Sequence, residues 1–90
     1  MNVSSYLKEL RECLKEFAYP WENATVEYNT GFKLFTIKLM TFQNGEQYRK
    51  NTALTAEYMD QGMVGASHVV GQVLLQFRAY IMEQQMRKRP

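Results

Sequence analysis

The Asn44-Gly45 dipeptide constrains this chain more than any other pair of residues in it. It stands between two runs of alternating side chains, and both residues tolerate the positive φ that a type I′ turn demands at its centre. A two-residue turn closes an antiparallel hairpin and fixes its register. Thr41 then pairs with Tyr48, Leu39 with Lys50, Ile37 with Thr52 and Phe35 with Leu54. That set is the expected core face. The other face carries Leu34, Thr36, Lys38, Met40 and Phe42 beside Gln47, Arg49, Asn51 and Ala53. The two strands are expected over about residues 32–42 and 47–54, the first of them rich in β-branched and aromatic residues.

A third strand is expected over about residues 25–28, where Val26 and Tyr28 alternate with Thr25 and Glu27. Asn29-Thr30-Gly31 is the expected turn after it, since Asn and Gly accept positive φ. A slip of one residue sends every side chain to the opposite face. Only an even-numbered loop places Val26 on the core face, opposite Phe35, so the first hairpin is expected to close through two or four residues.

Helices are expected on both sides of this sheet. Val3, Tyr6, Leu7, Leu10, Leu14 and Phe17 recur at helical spacing, with Lys8, Glu9, Arg11, Glu12, Lys15 and Glu16 on the other face. This predicts a helix over about residues 4–18, capped by Ser4 or Ser5 and ended ahead of Pro20. A longer helix is expected over about residues 66–87, capped by Ser67, with Ala66, Val70, Val73, Leu74, Phe77, Tyr80 and Ile81 facing the core. Residues 55–67 connect sheet to helix through Asp60-Gln61-Gly62 and Gly65, with one helical turn expected at about residues 56–59. The fold expected is α+β, in the order α-β-β-β-α, with both helices on one face of a three-stranded antiparallel sheet. Ninety residues allow one hydrophobic core, so residues 1–90 are expected to be a single domain, with residues 85–90 a frayed basic tail.

Charge and residue inventory then exclude several classes of function. Of 11 basic residues, three are Arg87, Lys88 and Arg89, which leaves 8 basic against 9 acidic residues in the body. A nearly neutral body gives no general electrostatic grip on nucleic acid. Cys13 is the only cysteine, so no intramolecular disulfide forms. No apolar run approaches the ~20 residues of a membrane span, and the start carries no secretory pattern, so the expected address is the cytoplasm and not a membrane. Nucleophilic catalysis would have to be built from His68, Cys13 and Asp60, the sole residues of their types, and nothing in their spacing favours a meeting. Two Cys and His residues in all cannot furnish a structural zinc site. Glu9, Glu12 and Glu16 interleave with Lys8, Arg11 and Lys15 as a solvated helix face does. The stretch from Gly62 to Ser67 matches neither GxGxxG nor a P-loop, and no lysine follows it. The chain is expected to be no enzyme and to hold no cofactor or metal.

Two surfaces are left. On the second helix, Leu75, Ala79, Met82 and Met86 follow at spacings of four, three and four and form a stripe almost opposite the core-facing one. A helix that is apolar on two faces usually has two partners, and Met and Ala suit close helix contact. The preferred reading is a small interaction module, regulator- or inhibitor-like, that forms a homo-oligomer (a dimer) or docks a protein partner through this helix. Its Met- and aromatic-rich make-up is in keeping with a protein encoded by a phage or other mobile element. The alternative is a nucleic-acid-binding module that uses Lys38, Met40, Phe42 and Arg49 on the outer sheet face with Arg87, Lys88 and Arg89. Double-stranded RNA-binding domains share the α-β-β-β-α order, but their second helix opens with lysines. The matching stretch from Gly62 to Gly71 has neither Lys nor Arg, so membership of that family is not expected.

Overall fold

The computed structural model describes residues 2–55 and 65–88. Along them run α1 (Val3–Phe17), β1 (Asn23–Asn29), β2 (Leu34–Gln43), β3 (Glu46–Thr55) and α2 (Ala66–Arg87). The α-β-β-β-α order and the α+β class are as the sequence predicts.

The hairpin of β2 and β3 takes the predicted register. Thr41 opposes Tyr48, Leu39 opposes Lys50, Ile37 opposes Thr52 and Phe35 opposes Leu54. Asn44 and Gly45 have φ of 54° and 78°, the left-handed values a type I′ turn needs. The three strands lie in the order β1-β2-β3, all antiparallel. The first hairpin joins Asn29 to Leu34, so its loop has four residues, one of the two permitted lengths. Val26 faces the core and is buried, but its partner is Ile37; Tyr28 stands opposite Phe35, ring on ring at 4.7 Å. The reason is where β2 starts. The Asn29 side chain accepts the Phe32 N–H at 2.9 Å, and Lys33, not Gly31, takes the positive φ of 54°. Phe32 is thereby held in the loop, and β2 opens at Leu34 instead.

The core lies between one sheet face and both helices. Phe35, Ile37, Leu39 and Thr41 of β2 are buried, against Leu10 and Leu14 of α1 and Val69, Val70, Val73, Leu74, Phe77 and Ile81 of α2. Tyr80 packs at the edge of this cluster, and Val69, absent from the predicted face, completes it. Both helix caps differ from expectation. Asn2 caps α1, its side chain accepting the Ser5 N–H at 3.1 Å, because Asn2 is the extended residue just ahead of the first turn. Gly65 takes that place for α2, with no side-chain bond, and Ser67 sits inside the helix. α2 is helical to Arg87, Gln85 donates to the Gln43 side chain at 3.0 Å, and Lys88 reaches Glu46 and the face of Tyr48. The helical turn expected at residues 56–59, and the connection around Asp60-Gln61-Gly62, lie outside the described residues.

A side chain at Gly45 would meet no atom within 4 Å, so a substitution there is felt only by the backbone. Gly45→Ala is therefore expected to cost roughly 1–2 kcal/mol of left-handed strain. Thermal unfolding followed by circular dichroism should show the midpoint fall by about 4–16 °C, with an unchanged native spectrum.

Candidate functional site

The outer stripe of α2 is where the sequence puts it. Leu75, Met82 and Met86 are 65%, 62% and 66% exposed, and Ala79 between them is exposed as well. The opposite side of the same helix carries the buried core residues, so α2 presents two apolar faces. Ala79, Met82 and Met86 line a shallow hollow whose walls are almost wholly apolar, rimmed by Glu83 and Arg87.

Beside this stripe sits a group of residues that periodicity does not reveal. Arg78, on α2, grips Glu22 with both arms of its guanidinium: Nε donates to Oε2 at 3.0 Å and Nη2 to Oε1 at 2.8 Å. Nη2 also donates to the Phe17 carbonyl, where α1 ends, at 3.2 Å. The guanidinium lies over the Tyr19 ring, 4.0 Å from its centre, and Tyr19 stacks on Trp21 at 4.9 Å. The Tyr19 N–H donates to Glu22 Oε1 at 2.7 Å and the Glu22 N–H returns a bond to the Tyr19 carbonyl at 2.9 Å. The Trp21 carbonyl accepts the buried Thr41 hydroxyl at 3.0 Å. Phe17, Tyr19 and Trp21 are 41%, 46% and 56% exposed even so. Arg78 is one turn from Leu75 and one turn from Met82, so the aromatic trio and the stripe join through its guanidinium into one patch. Glu22 and Tyr19 lie in a short connection with no periodicity to read. The only signal in the sequence is an aromatic-rich Tyr19-Pro20-Trp21-Glu22 where a polar loop would be expected.

Burial pushes the Glu22 carboxyl up, since only 3% of its side chain is exposed. The bonds from Arg78, the Tyr19 N–H and the nearby positive charge outweigh that push and hold it below the ordinary carboxylate range.

The alternative face is less open to a polyanion. Lys38 Nζ is 3.3 Å from Glu27, Arg87 bonds Glu83 at 2.7 Å, and Lys88 meets Glu46. Arg49 is the exception: its guanidinium faces the neutral amide of Gln47. Phe42 is 61% exposed and Met40 half-buried on the same sheet face. Arg89 lies outside the described residues. His68 is exposed in the first turn of α2, beside Thr52 and Leu54 of β3. Cys13 is half-buried on α1, its thiol pushed up by burial and then by Glu16, Glu9 and Glu12, which disfavours the reactive thiolate. Among the described residues no three His, Cys, Asp or Glu side chains are grouped as metal ligands, and no helix is long and apolar enough to cross a membrane.

Arg78→Met should strand the Glu22 carboxylate without its cation and destabilise the fold by about 2–4 kcal/mol near neutral pH. The depressed Glu22 pKa contributes stability above the unfolded-state value and loses it as pH falls through the lower folded one. Urea melts of both proteins should therefore converge as the pH is lowered from about 7 to about 3, where the carboxyl is neutral in the variant. Compared with protein-family models, with curated proteins and with solved structures, the chain matches none.

Proposed function

We propose that this chain is a non-enzymatic interaction module that self-associates by docking the outer face of α2 on the same face of a second copy. The observation that carries the proposal is the exposure of Leu75, Met82 and Met86, each more than three-fifths accessible, along a helix whose other side is already in the core. Leaving that much apolar surface in water is unfavourable by roughly 25 cal/mol per Å², and burying it is the usual remedy.

Geometry favours a like partner. The stripe runs about 16 Å along the helix axis, with Ala79 near its middle, where a small side chain lets two helices approach closely. A standard interface buries about 800 Å² on each partner. Four side chains fall short of that, and Phe17, Tyr19 and Trp21 enlarge the patch. Arg78 is an apt centre for it, because its charge is already spent on Glu22 and its flat face covers Tyr19. Nucleic acid is a poorer match, since Lys38, Arg87 and Lys88 each engage an acid of this chain.

Size-exclusion chromatography with light scattering should give twice the chain mass for the natural protein. The Leu75→Glu, Met82→Glu double variant should give the single-chain mass with an unchanged circular dichroism spectrum. A natural protein that runs at the single-chain mass overturns the proposal, as does a variant that keeps the doubled mass.

A further inference from the structure

The sheet has two edges, and they are finished differently. The Asn44-Gly45 turn makes Gln43 and Glu46 the first hydrogen-bonded pair of the hairpin. Bonded and non-bonded pairs alternate in an antiparallel ladder. Glu46, Tyr48, Lys50, Thr52 and Leu54 therefore bond to β2, while Gln47, Arg49, Asn51 and Ala53 aim their N–H and C=O groups away from the sheet. None of those four backbones has a hydrogen-bond partner among the described residues. The same alternation on β1 sends the Val26 carbonyl outward, and there the Arg11 guanidinium donates to it at 3.5 Å. That contact narrows the β1 edge by one acceptor, whereas among the described residues nothing reaches the outward groups of the β3 edge.

Next to the open edge runs a groove of about 250 Å³ between β3 and α2. Val69 and Val73 form its floor with Thr52 and Leu54 of β3. His68, Gln72 and Gln76, at successive four-residue steps along α2, form its far wall. An edge strand supplies backbone bonds to an added strand, and a groove beside it receives every second side chain. On the opposite face, an added strand would lie next to Arg49, whose guanidinium has no acid beside it among the described residues.

We propose that β3 and α2 form a docking site for an extended segment of another protein, which adds to β3 as an antiparallel fourth strand. Aliphatic side chains at alternate positions enter the groove, and an acidic side chain between them meets Arg49. A second copy of β3 is a poorer occupant, because in any antiparallel register its outward-bonding residues, Gln47, Arg49, Asn51 and Ala53, bring no acid opposite Arg49. The site is separate from the α2 stripe and does not depend on self-association.

The probe is the peptide acetyl-Glu-Val-Glu-Val-Glu-Val-Glu-amide, titrated into the full chain and followed by amide resonances and by calorimetry. In an antiparallel ladder, peptide residues bonded to Gln47, Arg49, Asn51 and Ala53 carry their side chains on the Arg49 face, so the glutamate N–H groups make the bonds. N-methylation of the glutamates should weaken binding by at least about tenfold, and N-methylation of the valines should leave it within about twofold. Asn51→Pro removes an outward N–H, which an edge strand tolerates. That variant should keep the native spectrum and lose binding by a similar factor, and Arg49→Gln should lose a smaller part. Absence of binding at about 1 mM peptide, equal sensitivity to either methylation, or full binding to Asn51→Pro overturns the proposal. So does a doubled mass that persists in the Leu75→Glu, Met82→Glu variant together with slow hydrogen exchange at the outward amides of Gln47, Arg49, Asn51 and Ala53, because a second copy would then hold the edge.

Discussion

The Arg78–Glu22 pair holds the parts of this molecule that share no strand ladder. Its carboxylate comes from the connection between α1 and β1, its guanidinium from the middle of α2, and one guanidinium arm also holds the last carbonyl of α1. Residues 17–22 and the middle of α2, far apart in sequence, meet at one planar group with bidentate geometry. Lysine could not substitute, having neither the fork nor the flat face that covers Tyr19. A buried pair of this kind adds little net stability over a well-packed apolar cluster, since desolvation costs much of what attraction returns. Its value is in direction: the Tyr19 N–H and the Phe17 carbonyl are satisfied only when the connection crosses α2 at this one turn.

That crossing decides what α2 shows to solvent. A helix laid on a sheet usually turns a charged back outward. Here the back is Leu75, Ala79, Met82 and Met86, and the charges on α2 that border it are paired, Arg78 with Glu22 and Arg87 with Glu83 four residues before it. The charged residues of the chain are concentrated on α1, where Lys8, Glu9, Glu12, Lys15 and Glu16 are all exposed. The two helices thus differ in what they turn to solvent, α1 a charged face and α2 an apolar one.

Most of the sheet was legible from two residues. Once Asn44 and Gly45 set the register, the inward residues of β2 and β3 followed, because pleating allows no other arrangement. The register of β1 was legible only in part. Parity put Val26 inward, but which residue it opposes depended on how far the loop reaches, and the Asn29 side chain settles that by taking the Phe32 N–H. Helix ends were the weakest reading. Several of Asn2, Ser4, Ser5 and Ser67 can cap, and one φ/ψ value separates the residue that does from those that do not. The apolar stripe was visible because periodicity is a property of the helix alone. The Arg78–Glu22 pair was not, because it is a contact between residues 56 positions apart with no pattern on either side. The outward groups of β3 followed from the register, because the alternation of bonded and non-bonded pairs decides which residues face away.

The same alternation has a consequence for assembly at large. A sheet with two open borders can extend without limit, since each newcomer exposes the border it did not use. On the β1 border Arg11 reaches the Val26 carbonyl alone, at 3.5 Å, and the outward backbone groups of Ala24 and Tyr28 on either side of it have no partner among the described residues. Both borders of this three-stranded sheet therefore carry backbone groups to which a further strand can bond, and a guanidinium from a helix narrows one of them by a single acceptor.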